Sequence, residues 1–122
     1  MKILALFLAL ATVAAHAEAP LWVTVTSNAT AAFAFKRGSC KAVDSDKGVH
    51  ALVCIERQTA PDGTSMFHYV AIDRDTCPTG VGEILTSDMR GTLLADDQVV
   101  ADGGTIASQE WEFMCGVSGT IK

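Results

Sequence analysis

Basic residues are scarce in this chain. Nine Lys and Arg stand against fourteen Asp and Glu, a formal net charge of -5. That balance argues against a nucleic-acid or anionic-membrane partner, because phosphate contacts need lysine and arginine. It permits a basic protein partner, since opposite potentials steer encounter. No Cys-x-x-Cys pair is present, and His50 and His68 keep no ligand spacing with the thiols, so neither zinc nor any other cofactor is expected. The Asp44-Ser45-Asp46-Lys47-Gly48 stretch resembles part of a calcium loop, but its glycine comes one position early and Ile55 occupies the place of the distal glutamate. Gly-x-Gly-x-x-Gly, Gly-Lys-Ser/Thr and Gly-x-Ser-x-Gly are all missing. With them go the sequence signals of a phosphate-cradling loop and of an activated serine.

Long apolar runs are missing too. The longest, Ile3 to Val13, falls well short of the ~20 residues that a helix needs to span a bilayer. Met1-Lys2 precedes it and Ala15-His16-Ala17 follows it, the layout of an export signal cleaved after Ala17. Residues 1–17 are therefore expected to be a signal peptide and residues 18–122 a single β-rich domain in the periplasm or outside the cell. No transmembrane segment is expected in the mature chain. Loss of Lys2 leaves eight basic residues against fourteen acids, a formal charge of about -6.

Four cysteines, at 40, 54, 77 and 115, all follow the export signal. An even count in an exported chain reads first as two disulfides. Cys40–Cys54 closing a hairpin and Cys77–Cys115 tying a strand end to the C-terminal element form the favoured pairing. The nested set, Cys40–Cys115 with Cys54–Cys77, is the alternative.

Hydrophobic alternation dominates what remains. Leu21–Thr26 and Ala31–Lys36 read as strands, the second with Phe33 and Phe35 on its core face. His50–Arg57 is apolar on both faces, which suits an interior strand of a sandwich or a sheet covered on its second side. The Ala60-Pro61-Asp62-Gly63 turn then makes residues 51–57 and 66–73 antiparallel neighbours. Met66–Ile72 reads as the central strand, with His68 a structural histidine between hydrophobes. Shorter strands are expected at 84–86, 92–95 and 98–101, the last two separated by Asp96-Asp97. Residues 109–115 fit a strand through Glu-Trp-Glu-Phe alternation, with a helix as the competing reading. The expected fold is mainly β: a small antiparallel sandwich or partly open barrel stapled by two disulfides, with room for a short C-terminal helix.

No catalytic residues emerge. Asp73, Asp75, Glu83, Glu110 and Glu112 would approach one another if Cys77 pairs with Cys115, yet solvated turn charges explain them as well. Binding is the better expectation, with Asp44, Asp46, Asp62, Asp73, Arg74, Asp75, Glu83, Asp88 and Arg90 as candidate contact residues in four loops. In general type the chain resembles small envelope proteins that inhibit lysozymes or neutralise secreted cell-wall-degrading toxins, although no motif transfers a residue role. The expected partner is thus another protein of basic character, with a homodimer also open. A structural or surface-associated envelope protein is the alternative, and a small hydrolase the third reading.

Overall fold

The computed structural model describes residues 21–121, so the expected signal peptide at 1–17 lies outside the described residues. Strands β1 (Trp22–Ser27), β2 (Ala32–Lys36), β3 (Lys41–Asp44), β4 (His50–Thr59), β5 (Ser65–Asp73), β6 (Val81–Ser87) and β7 (Leu93–Val100) form one open antiparallel sheet. Its order is β1-β2-β4-β5-β6-β7, with β3 also paired to β4. A 3-10 turn, Arg74–Thr79, joins β5 to β6, and helix α1 (Ile106–Ser118) follows β7. The chain is mainly β with a short C-terminal helix and two disulfides, Cys40–Cys54 and Cys77–Cys115.

Strands β2 and β3 are two halves of one interrupted strand on the same edge of β4. Ala32–Phe35 pair with Glu56–Thr59, and Lys41–Asp44 pair with His50–Val53. The chain leaves the ladder between them, which would orphan the Ile55 amide. Ser39 Oγ accepts that N–H at 3.0 Å, and the adjacent Cys40–Cys54 bond ties the segment between β2 and β3 to β4.

One face of the sheet carries the core. Phe35, Leu52, Cys54, Val70, Ile72, Ile84 and Val99 pack against Trp111 and Met114 of α1. Phe35 stacks on Phe113 with ring centroids 5.3 Å apart. Cys77–Cys115 fastens the 3-10 turn to α1. Arg74 adds to that anchor: its Nε donates to Ser118 Oγ at 2.7 Å and its Nη2 to the carbonyls of Ser118 and Ile121. The second face, bearing Ala51, Val53, Ile55, Tyr69, Ala71 and Leu85, has no element of the described chain packed over it.

Two local expectations are corrected. Residues 109–115 belong to α1 and are not a strand. The Glu-Trp-Glu-Phe alternation masked a helical stripe in which Ala107, Trp111 and Met114 recur at helical spacing with Glu110 and Phe113 beside them. Thr105 caps the helix by accepting the Ser108 amide. The break at Asp96-Asp97 is also absent, and β7 runs through it unbroken. As the last strand of the sheet, β7 exposes both aspartates to water at no burial cost, and such charges blunt an edge against further pairing.

Candidate functional site

Helix α1 covers only one end of the core face. Towards the other end the same alternation that delivers Leu52 and Cys54 delivers Glu56 and Gln58, and that of Val70 and Ile72 delivers His68. Glu56 and His68 are direct cross-strand partners. Thr86 on β6 and Ala95 and Asp97 on β7 extend the floor, Phe33 on β2 closes one side, and Thr105, Ile106, Ala107 and Glu110 overhang from the start of α1. Together they enclose a cleft of about 500 Å³.

Three ionisable side chains are buried at this place. Glu56 is 3%, His68 6% and Glu110 7% exposed. His68 Nδ1 and Glu56 Oε1 stand 3.4 Å apart, a long contact. Glu56 Oε2 and Glu110 Oε2 are buried with no hydrogen-bond partner. Burial pushes the Glu56 carboxyl up to about 7, and burial also lowers the His68 pKa against a smaller opposing pull from Asp88. Below about pH 7 the cleft therefore holds a protonated Glu56 beside an imidazole whose charged form burial disfavours. The arrangement accepts hydrogen bonds from a ligand and ionises when a positive charge enters. Among the described residues no group of three or more His, Cys, Asp or Glu is placed to hold a metal ion.

The four loops chosen from the sequence divide between the two ends of the sheet. At the β3–β4 end, Asp44, Asp73, Arg74 and Asp75 come together with His50. His50 Nδ1 lies 3.0 Å from Asp75 Oδ2, and Asp73 Oδ1 accepts the Asp75 amide. Hydrogen bonding to Asp75, then its charge, raises the His50 pKa. Asp46 lies in the adjacent exposed turn. At the opposite end Asp62 accepts the Thr64 amide, while Asp88 accepts those of Arg90 and Thr92. Glu83 lies on the second face and accepts from Gln98 Nε2. Glu110 and Glu112 do not join Asp73 and Asp75: Glu110 enters the cleft, and Glu112 accepts the Asp102 amide at 2.6 Å.

Glu56 was not singled out from the sequence, although it carried a signal. It continues the Leu52–Cys54 face as a charge at a core position, and the turn at 60–63 sets it opposite His68. Glu110 joined them only through the path of α1, which strand periodicity hid. No protein family matches this chain, and no curated protein or solved structure is significantly similar to it.

Proposed function

We propose that this chain is an exported protein-binding module that seats a lysine or arginine side chain of a basic partner in the cleft beneath the start of α1. One observation carries the reading: Glu56 Oε2 and Glu110 Oε2 are buried in the same cleft without hydrogen-bond partners. A buried acceptor left unmatched costs about 1–3 kcal/mol, and Lys and Arg side chains are donors only, with the complementary charge. The acidic balance of the chain favours the same encounter. Two disulfides suit the periplasm or the extracellular space. An inhibitor or immunity protein acting on a basic cell-wall-cleaving enzyme or toxin is the role most consistent with these features.

Entry of a cation ionises Glu56 and releases its proton, so binding is tighter at pH 8 than at pH 6. The test is a titration of isotope-labelled protein with N-acetyl-arginine amide at both pH values. Amide shifts centred on Glu56, His68 and Glu110, larger at pH 8 and lost in Glu56→Gln/Glu110→Gln, support the reading. Shifts confined to the loops, or none, refute it. The proposal assigns no enzymatic activity; cell-wall hydrolysis that disappears in Glu56→Gln overturns that part. A structural envelope role is the second reading, and the uncovered apolar sheet face favours it.

A further inference from the structure

We infer that the uncovered face of the sheet is a two-fold dimer interface on which a second copy of this chain completes a two-layer β-sandwich. The face presents Val53, Ile55, Tyr69, Ala71 and Leu85, bordered by the exposed side chains of Val43, Phe67, Val81 and Val100. A contiguous apolar face five strands wide is more than a monomeric soluble protein usually leaves in water.

The distribution of charge identifies the occupant. By strand alternation Lys36, Lys41 and Arg57 lie on this face on the β2–β4 side, whereas Asp73, Glu83 and Asp96 lie on it along β5–β7. A surface that is basic along one flank and acidic along the other is complementary to itself when turned about an axis parallel to its strands. Such isologous contacts are how most homodimers close.

The register locates that axis. One cross-strand row reads Lys41 on β3, Val53 on β4, Ala71 on β5, Leu85 on β6 and Asp96 on β7. A two-fold axis through β5 at Ala71 puts Lys41 over the partner's Asp96 and Val53 over the partner's Leu85. Because the axis runs along β5, it puts Ala71 on its own copy, where a small side chain allows close approach, and Tyr69, two positions away on the same face, against its own copy as well. Aligned sheets pack about 10 Å apart within roughly 30° of parallel, so the row stays near register. Asp73, which also falls near the axis, has its carboxylate turned back onto the Asp75 amide. Arg57 lies 4.7 Å over the Trp22 ring, whose neighbour Phe67 is 5.8 Å away, an aromatic border at one end. The cleft with Glu56 opens on the opposite face, so dimerisation leaves both clefts accessible, and this inference stands apart from the binding proposal.

Sedimentation equilibrium of the purified protein tests it. A dimer is expected, and Ala71→Arg, which sets two cations against each other at the axis, is expected to give a monomer with unchanged far-ultraviolet circular dichroism. Lys41→Asp and Asp96→Lys alter exposed side chains. Each is expected to lower the association constant about tenfold, because the like-charge contact occurs twice. Their combination is expected to restore it. A monomeric wild-type protein, which would leave the face to some other occupant, overturns the inference. So does a dimer indifferent to Ala71→Arg, or single charge variants whose losses add in the double variant.

Discussion

Glu56 shows how one side chain can set the pH response of a whole fold. Its pKa is raised to about 7 from the ordinary 4.5, so between those values the folded state binds more protons than the unfolded chain. The resulting stability is fully present below pH 4.5 and is lost as pH rises through 7. The shift corresponds to about 3 kcal/mol at most. Glu56→Gln, which keeps the shape and removes the titration, is expected to flatten urea stability between pH 5 and 8. It should be more stable than wild type at pH 8 by up to about 3 kcal/mol. His68 acts with the opposite sign: its lowered pKa gives stability that is present above about 6.5 and declines as pH falls. At the other end of the sheet, His50 is exposed and its pKa is raised by its hydrogen bond to Asp75. Asp75→Asn is expected to lower the His50 titration midpoint seen in ring-proton NMR. An unmoved midpoint would show that the pair is not formed in solution.

At the scale of elements, the contact between β6 and α1 depends on a missing side chain. A Cβ on Gly82 would sit 2.7 Å from Trp111 Nε1 and 2.9 Å from Thr76 Oγ1. Trp111 is fully packed in the core and cannot swing aside. Gly82→Ala is expected to cost about 1–3 kcal/mol in urea unfolding, with a changed tryptophan emission in the folded state. In the sequence Gly80-Val81-Gly82 reads as a flexible turn or the start of a strand, and Gly82 lies in β6. The turn glycine is its neighbour Gly80, which ends the 3-10 segment with φ of 78°. The alternations at 51–57 and 66–73 announced β4, β5 and their antiparallel pairing, because period 2 and the Pro-Asp-Gly turn are local signals. Helix α1 was less legible, since Glu110, Trp111, Glu112 and Phe113 satisfy a strand pattern and a helix pattern alike. Only the packing of Trp111 and Met114 on the sheet chooses between them.

For the whole molecule, the two disulfides act at different ranges. Cys40–Cys54 spans 14 positions within one edge of the sheet, whereas Cys77–Cys115 spans 38 and fixes α1 to the end of β5. Chain-entropy arguments put removal of the longer link at about 4 kcal/mol. Cys77→Ser/Cys115→Ser is therefore expected to lower the urea midpoint clearly. It should also loosen α1, which hydrogen exchange at Trp111–Met114 would report. Release of α1 also removes Glu110 from the cleft, so the same variant should weaken arginine binding.

Composition and local pattern by themselves determined the mainly β class, the central hairpin and the acidic character, because each depends on residue type or on short-range periodicity. They left two cysteine pairings open, between which the tertiary structure chose. Tertiary structure decided which loops share an end of the sheet and that residues 109–115 are helical. It also decided that Glu56, His68 and Glu110 meet, and that one apolar face is left uncovered. The arrival of Glu110 follows from the direction in which α1 crosses the sheet, and the sharing of loop ends from the order of its strands. Both are set by packing between elements that no local pattern encodes.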